Sequence, residues 1–378
     1  MRIPGASVAS PLVIGIGASI ATVYVLDPEL YNRLVQEDGC LEWGTFWAFL
    51  SASGVALLGA RRHQRRGRFP WCFVGIALFC FVVAMEEISW GQRLVGYRAP
   101  VYFLEHNFQQ ELNLHNVVST PLRKLVKKLV MGLYGVALPL IVLHPRIALW
   151  TRRVGLVLPP LALVPAFALN LVLYVWYPMP FTGEVVELVL GLSFLSAMLA
   201  RWSEVAEGEG QLARRPDRIA SIGVAAAVAV LSLTSATLSV ARSGDPATLV
   251  MARNEISALQ RDLKLVADRG GGELPTKCKK IHKRIYNYLE KYGVDDLRGL
   301  EFSRLVGGGE REGRAHYFLD PWNSPYWIRL RCSKDRKSRR TVVYSFGPNR
   351  RRDSSKSEIR GDDLGESSVR ARDSNVDE

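Results

Sequence analysis

Cysteine, histidine and methionine are scarce, at 5, 6 and 6 among 378 residues. No CxxC pair and no Cys/His zinc spacing occurs, which removes zinc-finger and thioredoxin-like classes. Acids are also short, 36 against 49 Lys and Arg, leaving a net charge of +13. The shortage of charge is uneven. Residues 242–378 hold 29 of the 49 Lys and Arg, while the first two thirds are dominated by Leu, Val, Ala, Phe and Trp. The mean hydropathy of +0.06 therefore averages two unlike halves.

Apolar runs fill the first half. A membrane-spanning helix needs about 20 mostly apolar residues. Runs near 9–26, 43–60, 70–86, 128–144, 154–176, 182–200 and 219–241 predict an α-helical polytopic membrane bundle of about six helices plus a seventh. Only Arg2 precedes the first run, and no small-residue cleavage site follows it, so a retained helix is expected rather than a signal peptide. Cys72 and Cys80 fall inside the third run and read as packing residues. Arg61, Arg62, Arg65, Arg66 and Arg68 share one loop, Arg146, Arg152 and Arg153 a second, and Arg214, Arg215 and Arg218 a third. The positive-inside bias puts these loops in the cytoplasm. The acidic loop with Asp27, Glu29, Glu37, Asp38 and Glu42 then lies outside, as does everything after residue 241. The expected location is a bacterial inner membrane, with a cytoplasmic N-terminus and an extracytoplasmic C-terminal domain. Arg123, Lys124, Lys127 and Lys128 fall on the outer side against this bias, and suit an interfacial helix that meets lipid phosphates.

The polar residues of the bundle carry the candidate chemistry. The third run ends "VVAMEEISWGQRLVGY", and "FLEHNFQQELNLHNV" follows. Glu86, Trp90 and Arg93 share a helical face if the helix continues. Asn107, Glu111 and His115 share one at i, i+4, i+8; as extended chain, Asn107, Gln109, Glu111, Asn113 and His115 would align instead. Glu184 and Glu187 open the sixth run on the same outer side. Ionisable groups at membrane depth are costly and mark functional sites by default. Glu86, Glu87, Glu111 and His115 are thus candidates for general acid/base or metal chemistry. The competing reading has Glu86 and Glu87 paired with Arg93 or Arg98, and the amides capping a loop.

The polar half begins with a stem. Leu249, Ile256, Leu259, Leu263 and Val266 recur at helical steps after Pro246. A Lys-rich helix is expected around 277–293, and a β-hairpin from the runs 325–332 and 341–346. Lys334, Arg336, Lys337, Arg339 and Arg340 crowd the hairpin turn. Outside the cytoplasm such a cluster suits acidic lipid, envelope polymer or acidic protein, and no nucleic acid is expected. The same compartment permits a disulfide between Cys278 and Cys332.

The succession "ARNEISALQRDLKLVAD", "LPT", "DPWNSPY", hairpin, "YSFGPN…GDDL" resembles protein G, the major pseudopilin of type II secretion systems, over about residues 219–364. The resemblance implies an α+β pilin-like domain with a long N-terminal helix and a small antiparallel sheet, in which Asp320, Pro321, Trp322, Pro325 and Tyr326 form the structural motif. It implies secretion or pilus-type partners. It also implies a calcium loop, with Ser345, Asn349, Asp353, Asp362 and Asp363 as candidate ligands; the alternative pairs Asp353, Asp362 and Asp363 with Arg350–Arg352. The segment "RRPDRIASIGVAAA" departs from the family, with no Gly-Phe junction and no Glu at the fifth apolar position. The domain is therefore expected to remain tethered and non-enzymatic. The expected division is 1–205 membrane module, 206–218 basic linker, 219–364 stem and pilin-like domain, and 365–378 disordered tail.

Overall fold

In the computed structural model the apolar runs fold as helices, and a small antiparallel sheet follows. The structure describes residues 6–35, 39–65, 67, 69–95, 99–100, 102–103, 107, 112–115, 117–207, 216–243, 246–269, 282–284, 319–322, 324–332, 339–348 and 363–365. Two compact units form: Met1–Trp90 with Val118–Leu238, and Gly91–Val117 with Ser239–Glu378. The second unit thus takes in residues 91–117, which the local sequence pattern groups with the membrane module.

The first unit contains α1 (Ala6–Leu26), α2 (Pro28–Leu34), α3 (Cys40–Arg65), α4 (Trp71–Glu87), α5 (Thr120–Ile141), α6 (Pro145–Val154), α7 (Val164–Trp176) and α8 (Thr182–Glu207), with most of α9 (Pro216–Ser243). Small residues let these helices approach closely. Gly44 lies against Leu188, and Gly191 lies against Ala48 and Phe49. Those two contacts advance together along both chains, so α3 and α8 run parallel. Ala48, Ala52, Ala56 and Ala60, all buried, extend the small-residue stripe down α3. Phe194 is the hub of the core, with the Tyr134 ring stacked at 5.4 Å and Phe49, Phe79 and Phe167 around it. Trp47 Nε1 donates to Ser235 Oγ at 3.0 Å and ties α9 to α3.

Among the described residues two helices are long and apolar enough to cross a membrane, Cys40–Arg65 and Thr182–Trp202, and the bent pair α5 and α6 would make a third. Ser10–Leu26, Leu161–Trp176 and Gly223–Ser239 are apolar but shorter. Leu57, Leu78, Phe81, Leu133, Val172 and Val175 are exposed, a surface that hydrocarbon accepts and water disfavours. Helix α6 turns 118° from α5. Pro145 opens it and Gly155, at φ 73°, closes it in the left-handed conformation. Its exposed residues mix Leu149 and Trp150 with Arg146, Arg152 and Arg153, a face suited to lipid headgroups.

Helix α5 passes through a π-helical stretch, Val130–Ala137. Gly135 sits there against the buried Phe167. A Cβ added at Gly135 would lie 2.7 Å from Phe167 Cβ and closer still to its ring. That contact is near the backbone and cannot swing away. Gly135→Ala should cost about 1–3 kcal/mol by overpacking, read as a lower thermal midpoint of the purified chain. Gly132→Ala, whose Cβ would meet only Leu171 at 3.4 Å, should change little.

The second unit holds α10 (Pro246–Arg269) and four strands: β1 (His282–Arg284), β2 (Trp327–Cys332), β3 (Arg339–Ser345) and β4 (Leu364–Gly365), in that order across an antiparallel sheet. The hairpin pairs Trp327 with Tyr344 and Cys332 with Arg339. Helix α10 packs on β3 and β4, burying Ala252, Ile256 and Leu259. The Lys-rich stretch expected as a helix contributes a strand at His282–Arg284. Pairing with the edge of β2 satisfies its backbone groups and overrides the local preference. Gly365, expected in the tail, pairs with Tyr344; the rest of the tail and residues 208–215 of the linker lie outside the described residues.

Candidate functional site

Because α3 and α8 run parallel, their N-termini share one end of the first unit. Helix α4 ends there too, at Glu87. Glu42 lies in the first turn of α3 and Glu184 in the first turn of α8, where the helix dipole favours a carboxylate. Glu187 follows one turn later. Glu87 feels the charges of Glu187, Glu184 and Glu42, offset by Lys127 of α5. Lys127 Nζ donates to Glu187 Oε1 in an ion pair. Tyr174 interacts with Lys127, Glu187 and Arg123. One turn before it, the buried Asn170 donates from Nδ2 to Val186 O at 3.0 Å, and its Oδ1 has no hydrogen-bond partner among the described residues. Sequence reasoning offered Lys127 to lipid; the structure gives it to Glu187, sixty residues away. Among the described residues no group of three His, Cys, Asp or Glu side chains is placed to hold a metal.

Glu86 is buried, and its Oε1 accepts from Trp90 Nε1 at 2.7 Å. The helix expected to carry both residues onward stops at Glu87. Ser89, Trp90 and Gly91 all adopt left-handed backbone, at φ 47°, 55° and 78°. For Ser and Trp this conformation costs about 1–2 kcal/mol each, and the Trp90–Glu86 bond helps to offset it. Beyond this turn, in the second unit, Gln92 Oε1 accepts from Leu112 N at 2.7 Å. Asn107 Nδ2 donates to Asn113 Oδ1 at 2.7 Å and to Asn113 O at 3.1 Å. Neither Asn107 nor the stretch 112–115 is helical, so the i, i+4, i+8 face does not form there. His115 is exposed in a turn, and Glu111 lies outside the described residues.

Among the described residues of the second unit, the Asp320 turn gathers the most polar contacts. Asp320 is buried. Its Oδ1 accepts from Trp322 N at 3.1 Å and Ser324 N at 2.7 Å, and its Oδ2 accepts from Ser345 Oγ at 2.5 Å. Its own N–H donates to Ser324 O at 2.7 Å. Ser345 Oγ also accepts from Gly347 N at 2.8 Å. Pro325 bridges to Leu319 and closes the turn. Tyr326 then reaches the stem, donating to Glu255 Oε2 at 2.6 Å. The turn is thereby tied to β3 and to α10 at once. The pairing with Glu255 carried no local signal, because the two residues are seventy-one positions apart.

Calcium takes six to eight oxygen ligands. Ser345 Oγ donates to Asp320 and accepts from Gly347 N, which leaves it one lone pair. Asp363 is buried beside β4. Asn349, Asp353 and Asp362 lie outside the described residues, as do Cys278 and the hairpin-turn residues Lys334, Arg336 and Lys337; Cys332 ends β2.

Burial raises the Tyr326 hydroxyl well above its ordinary value of 10.0, and the charges of Glu255 and Asp320 and the bond to Glu255 push the same way. A raised folded-state value means that this hydroxyl's contribution is complete below pH 10 and lost as pH rises beyond it. Protease protection of the second unit should therefore hold from about pH 8 to about pH 10 and fall above that. Tyr326→Phe should remove this alkaline dependence while lowering protection throughout, by about 1–3 kcal/mol for the lost hydrogen bond to the Glu255 carboxylate.

No protein family, curated protein or solved structure matches this chain.

Proposed function

We propose that this is a multi-pass inner-membrane protein whose C-terminal half is a tethered, pseudopilin G-like domain that docks onto type II secretion or pilus-type machinery, without enzymatic activity of its own. The observation that carries the reading is the wiring of the "DPWNSPY" turn. Asp320 and Tyr326 join it to the hairpin and to a long amphipathic helix, and that helix packs on a small antiparallel sheet. The apolar helices and their exposed outer faces support membrane insertion, and the basic loops support a cytoplasmic N-terminus. Lipid is then a constant partner. The absence of a prepilin junction supports permanent tethering. The test is cross-linking of the tagged full chain in native membranes. Recovery of a pseudopilin or an assembly-platform component, lost in Asp320→Ala with insertion unchanged, is the expected result. Recovery of neither from the wild-type chain would sink the reading.

A second reading has one observation in its favour, the convergence of Glu87, Glu184, Glu187 and Lys127 at one end of the first unit. Carboxylates so placed can exchange protons with a membrane-embedded substrate. On this reading Glu87→Gln abolishes the in vivo phenotype at normal protein level, whereas on the docking reading it leaves the phenotype intact.

A further inference from the structure

Helix α6 follows α5 after a short break at 142–144 and turns 118° from it. With α5 upright in the bilayer, α6 lies nearer the membrane plane than the normal. Its Thr151 is buried, which fixes the inward face. Arg146 and Arg153, two turns apart, share the outward face with Leu149 between them. Arg152 and Trp150 flank that stripe. All five of these residues are exposed. Open leucine and tryptophan among arginines suit the boundary between headgroups and acyl chains, and not water.

The end of α3 joins this surface. Trp71 Nε1, in the first turn of α4, donates to Val154 O at 2.6 Å. Phe73, two residues on, lies against Gly59, with its ring 5.8 Å from that of His63. The last turns of α3 and the C-terminal end of α6 therefore meet at the start of α4. Arg61 and Arg65 are exposed there. Other arginines at this end turn inward: Arg62 lies over the Trp202 ring at 4.3 Å, and Arg201 Nε donates to Leu158 O at 2.6 Å. Among the described residues no ion pair holds Arg61, Arg65, Arg146, Arg152 or Arg153. Cations gathered in this way repel one another until an anion joins them.

We propose that the outward face of α6, with the last turns of α3, is a binding site for an anionic phospholipid of the cytoplasmic leaflet. The guanidinium groups of Arg146 and Arg153 take the headgroup phosphate, which arginine matches with paired N–H donors. Arg61, Arg65 and Arg152 add attraction to the charged surface. Trp150 sits at the headgroup level and Leu149 against the start of the acyl chains. A lipid is the occupant because free phosphate would leave Leu149 and Trp150 in water. This site presupposes the membrane reading of the first unit and adds a headgroup charge to it.

The test titrates short-chain phosphatidylglycerol into the full chain in neutral detergent micelles and counts bound lipid by native mass spectrometry. Short-chain phosphatidylcholine and inorganic phosphate form parallel arms. Phosphatidylglycerol should bind at least about ten-fold more tightly than phosphatidylcholine, since each arginine near the headgroup contributes about five-fold. That preference should weaken as salt rises. The triple variant Arg146→Gln, Arg152→Gln, Arg153→Gln should lose it, with an unchanged thermal midpoint in neutral micelles. Should the midpoint fall, Arg153→Gln alone carries the same test, with an expected loss of about five-fold. Equal binding of the two lipids, or a preference unchanged in the variants, overturns the proposal. So does displacement of phosphatidylglycerol by an equal concentration of inorganic phosphate, which would assign the arginines to a free anion. Flotation of the wild-type chain with phosphatidylcholine vesicles checks the membrane reading separately. A chain that floats without a headgroup preference sinks the lipid site alone, and a chain that does not float sinks both.

Discussion

Asp320→Ala should loosen the second unit more than any other single change there, by about 3–5 kcal/mol. The carboxylate accepts from two backbone N–H groups and one hydroxyl while buried from water. Hydrogen bonds to a charged acceptor contribute about 1.5–3 kcal/mol each, but they share one side chain and do not add in full. The alanine also removes the acceptor that Trp322 N, Ser324 N and Ser345 Oγ share. Asp320→Asn separates charge from geometry. Its amide oxygen keeps Trp322 N and Ser324 N, and the NH2 now faces Ser345 Oγ, which can turn to accept. That variant should lose only about 1–2 kcal/mol. The measurement is hydrogen exchange at the amides of Val342, Val343 and Tyr344 in the full chain, which reports on β3 alone. Wild-type protection in Asp320→Ala would show that the turn is ornamental to the sheet.

Lys127→Met should produce the largest electrostatic effect in the first unit. It removes the cation that faces Glu187 and Glu87 and leaves the carboxylates to repel one another. Breaking a fully buried pair costs about 3–5 kcal/mol. Here Lys127 and Glu187 are 35% and 20% exposed, so screening reduces the effect to about 2 kcal/mol. The double variant Lys127→Met, Glu187→Gln restores neutrality at the pair and should recover more than half of that loss. A thermal midpoint series over the two single variants and the double yields the coupling. A coupling of zero would mean that the ion pair contributes nothing to the bundle.

Much of the fold was legible because it rests on local periodicity. The hairpin read from 325–332 and 341–346 is β2 and β3 to within a few residues. Ile256 and Leu259, placed by spacing on the buried face of the stem, are buried. The motif residues Asp320, Trp322, Pro325 and Tyr326 lie in one turn, where Asp320 accepts from Trp322 N, Pro325 bridges to Leu319 and Tyr326 donates to Glu255. What could not be read depends on residues far apart. Lys127 finds Glu187, Tyr326 finds Glu255, and Ala99 finds Leu319. No periodicity encodes such meetings. The end of α4 was missed for a different reason. "EEISWGQR" contains no Pro, and its Gly comes after the helix has already stopped, so the left-handed Ser89 and Trp90 had no marker. The strand His282–Arg284 was hidden by helix-favouring lysines, since an edge pairing is decided by the neighbour and not by the strand itself.

The meeting of Ala99 with Leu319 has a consequence for how the protein is made. During synthesis the first partner emerges about 200 residues before the second, a delay on the order of 10–40 s at ordinary elongation rates. Throughout that interval the helices from Thr120 to Leu238 can be inserted and packed, while Phe103 and Leu112 wait without a surface to cover. The second unit is therefore completed last, and a chain truncated after the helical unit would carry a permanently unpartnered apolar loop, which a quality-control protease could recognise.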